Sequence, residues 1–274
     1  MRWIGVGYRR ELAQWIASRP PEVGCLEITA EHFFDGGKEK LSKLTKDYPL
    51  FVHGLGLSLG TPGPLDQSTL DKFAAVVEAA QPEWISEHVA FTRSEEIDLG
   101  HLNPIPPSVE TLAVLVDHAI EVSERCGRTL ILENITTHLR LDGDLSETEF
   151  LNKLCERAGC GLLLDVTNLF INSRNHKFDA GRWLRELEPS RIAQLHVVGY
   201  SLRDGYWHDL HAEPIQNDLF ELVCDVLNYA PVRSVIIERD ARFPCTDELT
   251  QDLKRLESAF DASRTDNSVG TAPC

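Results

Sequence analysis

The amino-acid sequence predicts a single α/β domain folded as a closed (β/α)8 barrel, and three features of its 274 residues support this prediction. Eight short apolar runs of strand type recur along the chain, and stretches of helical periodicity separate them. In six of these runs, a histidine or a carboxylate stands at or near the end. Unbroken apolar strands that alternate with helices are typical of a parallel sheet covered on its outside, and eight such units close it into a barrel.

The predicted strands are, in chain order, WIGVGY (3–8), GCLEIT (24–29), PLFVHGL (49–55), WISEHVAF (84–91), TLILENI (129–135), GLLLDVTN (161–168), IAQLHVVGY (192–200) and VRSVIIERD (232–240). Amphipathic periodicity predicts helices at 65–79, 109–126, 147–158, 218–229 and 247–260. We therefore expect one catalytic barrel domain over residues 1–260. The segment 261–274 is polar and without period, and we expect it to be a disordered tail.

Composition restricts the class of partner. The formal net charge is -16 at pH 7 and the pI is near 5.0, so nucleic acid and anionic membranes would repel the protein at long range. The seven cysteines form no CxxC pair and lie mostly in or beside apolar runs, as free buried thiols do. The amino terminus has no signal-peptide core, and no apolar stretch reaches the ~18 residues that a membrane span needs. We therefore expect a reduced, cytoplasmic protein that binds neither nucleic acid nor membrane.

Six ligand-type residues follow the apolar part of six different predicted strands, and they are His53, His88, Glu133, Asp165, His196 and Glu238. The C-terminal ends of the strands in such a barrel converge on one mouth, where active sites are built. Taken singly, a strand-end histidine is more often a hydrogen-bonded core residue than a metal ligand. Six ionisable groups buried together without cations would cost several kcal/mol per unpaired charge. The pattern therefore predicts a metal site at the mouth.

Two further segments carry candidate ligands. After the sixth run, DVTNLFINSRNH places Asn168 and His176 in a predicted loop above the mouth. After the seventh, HDLH carries His208, Asp209 and His211, again in a predicted loop. Asp209 and His211 are two positions apart and point the same way if the backbone is extended, so we favour them over His208. The candidate ligands exceed what one ion needs, which predicts two or three metals bridged by a carboxylate; the donors suit iron, zinc and manganese alike.

Several motifs together resemble those of a known family, and they occur in the family's order: VHGLGLSLG (52–60), SEHVAF (86–91), LILENI (130–135), LLLDVTNLFINSRNH (162–176), LHVVGY followed by WHDLHAEP (195–214) and IIERD (236–240). The family is DUF692, the multinuclear non-haem iron-dependent oxidative enzymes, which include methanobactin biosynthesis protein B and the thiaglutamate-pathway enzyme. The resemblance extends from about Ile4 to Asp240, which is nearly the whole chain. It implies a TIM barrel with two or three irons in mixed Fe(II)/Fe(III) states and dioxygen as co-substrate. The implied substrate is a ribosomally made precursor peptide, in which a residue such as cysteine is oxidised and which a small partner protein presents.

Carried over by motif, the resemblance implies these ligand sets: His53, His88 and Glu133 for one iron; Asp165, His196 and Glu238 for the second, with Glu133 between the two; Asp209 and His211 for the third, completed by Asn168 or His176. It implies catalytic roles for four of them, namely His53, Glu133, Asp165 and Glu238. The sequence departs from the commoner family pattern at Thr167, Lys177 and Tyr200, where asparagine, glycine and histidine are frequent. The first two positions bear on the geometry of the third metal and the last on the substrate pocket.

Two other classes of function fit the same residues. A zinc- or manganese-dependent hydrolase, or a sugar isomerase on a xylose-isomerase-like TIM barrel, would use the metal to activate water or polarise a sugar. A metal-dependent binding or regulatory barrel would hold ions without turnover. Beyond the ligands, Glu31, His32 and His138 are candidates for substrate contact, because each follows the end of a predicted strand. His118, in the middle of a predicted helix, is expected to be a surface or interhelical residue.

Overall fold

The computed structural model describes residues 3–94, 97–243 and 246–269, without the side chains of Lys38 and of residues 264–269. Cys245 and Cys274 lie outside the described residues. None of the helices in these segments combines the length and the apolar character that crossing a bilayer requires.

The predicted barrel is confirmed, and each of the eight apolar runs supplies one of its strands. The strands of the described segments are, in chain order, β1 Trp3–Gly7, β2 Cys25–Thr29, β3 Leu50–His53, β4 Ile85–His88, β5 Phe91–Ser94, β6 Ile97–Asn103, β7 Leu130–Glu133, β8 Gly161–Asp165, β9 Ile192–Val197, β10 Gly199–Arg203, β11 Tyr206–Glu213 and β12 Ser234–Ile237. Eight of them close the barrel in the order β1-β12-β9-β8-β7-β4-β3-β2, and parallel pairing of β1 with β2 completes the circle.

The strand register brings the polar strand ends to one level. His88 at the end of β4 lies opposite Glu133 at the end of β7. Asp165 at the end of β8 lies opposite His196 in β9, and Glu238 follows directly after β12. Because all eight strands are parallel, these ends meet at one face of the barrel, as the sequence predicts.

The helices cover the outside of the barrel, and they are α1 Ala13–Ala17, α2 Lys38–Asp47, α3 Gln67–Ala80, α4 Val109–Cys126, α5 Glu147–Ala158, α6 Val166–His176, α7 Ala180–Glu186, α8 Asn217–Tyr229 and α9 Thr246–Val269. Five of them correspond to the predicted helices, and α4 and α5 have the predicted bounds. Helix α9 continues beyond residue 260 through part of the segment that the sequence assigns to a tail, and Ser263 is buried there. Residues 270–274 lie outside the described residues.

Helix α6 occupies the segment in which the sequence predicts a loop after the sixth strand, so that prediction is wrong. The helix begins directly after β8 because the Asp165 carboxylate accepts a hydrogen bond from the Asn168 backbone N–H and caps it. Asn168 therefore stays close to the end of the strand. His176 ends the helix, about 12 Å farther along its axis than Asn168 at 1.5 Å per residue.

Two hairpins, β5–β6 and β10–β11, lie outside the barrel sheet, and each is inserted between a barrel strand and the helix that follows. The segment of His208 and His211, predicted to be a loop, is part of strand β11, so that prediction is wrong as well. Ser201 pairs with His208 and Gly199 with Glu213, which leaves the intervening part of β11 as a bulge. His211 lies in this bulge with a φ of 48°, and its carbonyl accepts hydrogen bonds from the backbone N–H groups of residues 240 and 241.

Aromatic side chains close the opposite end of the barrel. Phe51 and Trp84 stack with ring centroids 4.6 Å apart, and Trp3 packs edge-on against both. Apolar packing therefore closes the N-terminal end, and the polar strand ends face a cavity at the other end.

Candidate metal centre

A cavity of about 660 Å³ opens at the C-terminal ends of the barrel strands. Seven of the ten ligands predicted from the sequence line it, namely His53, His88, Glu133, Asn168, Asp209, His211 and Glu238. Asp165 and His196 are almost fully buried beside it. The cavity is therefore the place where the predicted ligands meet.

The first cluster consists of His53, His88 and Glu133. The Nε2 atoms of both histidines lie 3.4 Å from Glu133 Oε2. The other ring nitrogen of each histidine has a partner of its own: His53 Nδ1 lies 2.8 Å from Ser86 Oγ, and His88 Nδ1 lies 3.3 Å from a carboxylate oxygen of Glu87. The outer partners orient both rings so that their Nε2 atoms converge on one carboxylate oxygen, as in metal sites.

The second cluster shares Glu133 with the first and adds Asp165, His196 and Glu238. His196 Nδ1 lies 3.2 Å from Glu133 Oε1 and 3.3 Å from Glu238 Oε2. One ligand atom from each of the four residues lies within 4.8 Å of the others. Glu133 thus offers one oxygen to each cluster, which is the arrangement of a bridging carboxylate.

The third cluster consists of His211, Glu238 and Asp240. His211 Nδ1 lies 3.0 Å from Asp240 Oδ2, and His211 Nε2 lies 2.8 Å from Asp209 Oδ2. Asp209 and His211 are thus in contact, although the backbone is not extended at His211, where φ is 48°. Arg9, from the segment after β1, is bound to both Glu238 and Asp240 and supplies a positive charge to this cluster.

The two remaining predicted ligands differ in position. Asn168 lines the cavity, but its amide donates to the backbone carbonyl of Asn134 and accepts from the Thr136 hydroxyl. His176 lies away from the clusters, because α6 carries it to a neighbouring cavity, where its Nε2 lies 2.8 Å from the backbone oxygen of Thr137.

Several functional residues were missed by the sequence reasoning. Asp240 follows Glu238 by two positions, the spacing that pointed to Asp209 and His211, and it could have been found in the same way. Glu27 is a lone carboxylate inside the apolar run of β2; it lies 2.6 Å from His196 Nε2. No comparable sequence pattern marks Arg9 as a residue of the site. Arginines are common after strands, and the contacts of Arg9 depend on how the barrel closes.

The weaker candidates are placed as follows. His32 and His138 line the cavity, as expected for residues that contact a substrate. Glu31 instead accepts hydrogen bonds from the backbone N–H groups of Leu55 and Gly56. His118 is buried, and its ring nitrogens lie 2.8 Å from the carbonyls of Leu59 and of Gly63, so it packs against the connection between β3 and α3.

Burial and mutual charge shift the pKa values of the cluster strongly. Burial raises the pKa of Asp165 well above its usual value, and the charges of Glu133 and Asp209 add to the increase. Burial alone would also raise the pKa of Glu238, but neighbouring His196 holds it well below its usual value. Burial lowers the pKa of His88, yet Glu133 and Glu87 outweigh this effect and raise it to about 9. The buried carboxylates are thus stable together only when positive charge compensates them, and either protons or metal cations can supply that charge.

The residues present fit metal ions. Among the described residues, Glu133 Oε2 and Asp209 Oδ1 are buried side-chain oxygens that lack a hydrogen-bond partner. Such an atom is costly to bury unless another group, such as a cation, compensates it. The donors are imidazole nitrogens and carboxylate oxygens, which suit iron, zinc and manganese. The clusters can therefore hold two ions that share Glu133, and a third at His211.

Comparison with known proteins gives the family. A family model described as "RiPP precursor modification enzyme MbnB/TglH/ChrH" matches residues 3–261, where RiPP denotes a ribosomally synthesised and post-translationally modified peptide. The chain belongs to this family. The resemblance read from the motifs is thus confirmed, and the family description makes the chain an enzyme.

Curated relatives are similar over most of their length. A UPF0276 protein of Chromobacterium violaceum is 33% identical over 243 residues, which cover 88% of this chain and 88% of the relative. A UPF0276 protein of Anaeromyxobacter sp. (strain Fw109-5) is 32% identical over 274 residues, which cover 98% and 96%. Both matches span the barrel.

Solved structures with a similar fold include sugar epimerases. The D-psicose 3-epimerase of Clostridium cellulolyticum H10 has a TM-score of 0.62 at 15% identity, covering 97% of this chain and 99% of the epimerase. The IOLI protein with a bound zinc atom has a TM-score of 0.59 at 11% identity, covering 96% and 98%. At these identities the likeness shows the fold alone.

Proposed function

We propose that the chain is a multinuclear non-haem iron enzyme that uses dioxygen to oxidise a residue, such as cysteine, of a ribosomally synthesised precursor peptide. The observation that carries this proposal is the pair of buried clusters that share Glu133, in a chain of a RiPP-modifying family. A single ion would need only three or four of these donors. Two ions that share a carboxylate explain why so many ionisable groups are buried together.

The proposed ligand sets are His53, His88 and Glu133 for the first iron; Glu133, Asp165, His196 and Glu238 for the second; and His211, Asp240 and Glu238 for the third, with Asp209 at the opposite ring nitrogen of His211. We keep catalytic roles for His53, Glu133, Asp165 and Glu238. Asn168 remains a possible further ligand if its amide turns, whereas the position of His176 gives it no part in the third set. Bound iron would supply redox chemistry that amino-acid side chains lack.

The residues around the ions would bind and orient the peptide. His32, His138 and His208 line the cavity and can hydrogen-bond to a peptide backbone. Leu55 and Ile135 add apolar walls that exclude water from the reacting residue. The cavity is large enough for a side chain with part of its backbone, since ligand pockets typically measure ~300–1,000 Å³.

The apolar side chains exposed around the mouth favour a macromolecular substrate rather than a sugar. Among the described residues, eight large apolar side chains are exposed, and six of these lie on connections that follow barrel strands: Leu55, Ile97, Leu139, Leu141, Leu202 and Tyr206. Apolar groups concentrated at one face mark a contact surface for another chain. We propose that the precursor peptide, presented by a small partner protein, contacts this face.

Metal analysis of protein purified without oxygen, coupled to Mössbauer or EPR spectroscopy before and after air is admitted, tests the proposal. We expect two to three irons per chain and a magnetically coupled signal that changes on exposure to dioxygen. Stoichiometric zinc or manganese, with no response to air, would instead support the hydrolase or sugar isomerase class. Metal without any turnover of peptide or sugar would support a binding protein.

A further inference from the structure

A hydrogen-bonded chain of four buried side chains runs from the closed end of the barrel to the second cluster. Trp84 Nε1 donates to Gln194 Oε1 at 2.8 Å, and Gln194 Nε2 donates to Glu27 Oε2 at 2.5 Å. Glu27 Oε1 lies 2.6 Å from His196 Nε2. All four residues are at most 2% exposed, so water does not compete for these groups.

The chemistry of each group fixes the direction of the chain. The Trp84 indole N–H can only donate, so the Gln194 amide must turn its oxygen to Trp84 and its NH₂ group to Glu27. Glu27 must then accept on Oε2, and as a carboxylate it accepts on Oε1 as well. Gln194 Nε2 also lies 3.2 Å from His196 Nε2, as expected for two donors that converge on one carboxylate.

It follows that His196 carries a proton on Nε2. The lone pair of a neutral His196 ring is then on Nδ1, the atom that lies 3.2 Å from Glu133 and 3.3 Å from Glu238 in the second cluster. A metal in the second cluster would therefore bind His196 through Nδ1. In the first cluster the outer nitrogen of His53 faces the neutral hydroxyl of Ser86, and that of His88 faces its own carboxylate, Glu87, so Glu27 serves His196 alone.

We propose that Glu27 is a positioning residue, which, held by Gln194 and Trp84, sets the tautomer of His196 and strengthens its Nδ1 as a ligand of one ion only. The inference rests on the metal centre of the proposed function. A carboxylate on the outer nitrogen of a histidine ligand fixes the ring and makes it a better donor, and losing such a partner lowers metal affinity roughly 10- to 100-fold. Glu27 therefore acts on the ion at His196 and not on the ion between His53 and His88, where Glu87 is the carboxylate beside the outer nitrogen of His88.

Cobalt(II) binding to metal-free protein, followed without oxygen by visible absorption and elemental analysis, tests this inference. We expect wild-type protein to bind at least two ions. Glu27→Gln should weaken one of them roughly 10- to 100-fold and alter its absorption bands, and leave the other unchanged. Asp252→Asn is the matched control, because Asp252 is a buried carboxylate of α9 that belongs to none of the three clusters and pairs with Arg255, and the cobalt binding of this variant should equal that of the wild type.

Trp84→Phe provides a second variant that retains an aromatic ring against Phe51 but removes the indole donor. It should weaken the same ion by about two- to tenfold, the effect of losing one buried hydrogen bond. This variant decides the question if Glu27→Gln does not fold, as judged by circular dichroism.

The outcomes separate this inference from the proposed function. If the Glu27 and Trp84 variants show the same cobalt binding curves and absorption bands as the wild type, the inference alone is overturned. Equal weakening of the binding of both ions would overturn it as well. A wild-type protein that binds no cobalt would overturn the metal centre and the inference with it. Since neither dioxygen nor peptide enters the assay, a failure of peptide oxidation leaves the cobalt result unaffected.

Discussion

Glu133 is the residue on which two clusters depend, because its two oxygens face different sets of ligands. Glu133→Gln removes the charge from both and leaves an amide that binds a cation poorly. Asp165→Asn removes charge from the second cluster only. We expect Glu133→Gln to lose more metal per chain than Asp165→Asn, as measured by elemental analysis after anaerobic loading with ferrous iron and desalting. Equal losses in the two variants would contradict the bridging role of Glu133.

Arg9 binds two of the carboxylates that a third ion would need. Its guanidinium binds Glu238 at 3.1 Å and also binds Asp240, so it already neutralises two of the three residues of the third cluster. Replacing it removes a cation that competes with a metal for the charge of the same carboxylates. We expect Arg9→Met to raise the affinity for the third ion, measured as metal per chain across a titration.

Arg242→Met is the control for this prediction, because Arg242 pairs with Glu213 on the exposed side of the same region. Its metal content should match that of the wild type. A decrease in metal on Arg9→Met would mean that the guanidinium supports the cluster instead of competing with it.

The site residues differ in how far the sequence reveals them. His53, His88 and Glu133 could be predicted because each ends an apolar run, and barrel geometry brings such ends together. Glu27 precedes the end of its run by two positions, so its place beneath His196 depends on the register between strands far apart in sequence. Arg9 likewise meets Asp240 only because β1 pairs with β12.

At the scale of elements, strands and helices were predicted better than the insertions between them. The apolar runs and the helical periodicity reflect burial, because each strand and each helix of the barrel buries one or more of its faces. The start of α6 depends on one capping carboxylate, Asp165, whose position after an apolar run predicts a metal ligand but does not by itself indicate a helix cap. Hairpin β10–β11 lies outside the barrel sheet and pairs apolar as well as polar residues, Leu202 with Trp207 and Ser201 with His208, so no regular apolar alternation marks it.

Gly199 connects this hairpin to the barrel and leaves no room for a side chain. A Cβ atom there would lie 1.9 Å from the backbone oxygen of Pro214. Gly199→Ala must therefore displace the strand that carries His211, and we expect a loss of roughly 1–3 kcal/mol in the free energy of unfolding, measured in urea. The third ion should be weakened more than the other two.

Gly181→Ala is the matched control. Gly181 lies in α7, and its added Cβ would meet the flexible end of Arg185 at 3.3 Å and a carboxylate oxygen of Asp179 at 3.4 Å, but no backbone atom. Because alanine favours a helix by about 1 kcal/mol over glycine, this variant should be as stable as the wild type or more stable. A stable Gly199→Ala protein with unchanged metal binding would contradict the close packing of the hairpin.

At the scale of the whole molecule, negative charge is the dominant property. The net charge of -16 adds to a mouth where Asp165, Glu238 and Asp240 lie close together. Bound cations would relieve that repulsion in the folded chain but not in the unfolded one. Metal binding and folding stability are therefore coupled.

Removing the metal should lower the melting temperature for this reason. A ligand at 100 times its dissociation constant stabilises a fold by about 2.7 kcal/mol, which for a chain of this size corresponds to about 5 to 10 °C. We expect a decrease of this order in differential scanning calorimetry after anaerobic treatment with a chelator.

Potassium chloride should then raise the melting temperature of the metal-free protein and restore part of the loss. It should change the melting temperature of the metal-loaded protein less, because salt screens repulsion that cations have not already neutralised. Equal melting temperatures with and without chelator, or an equal salt effect on both forms, would mean that the clustered carboxylates are balanced by protons and by Arg9 rather than by metal.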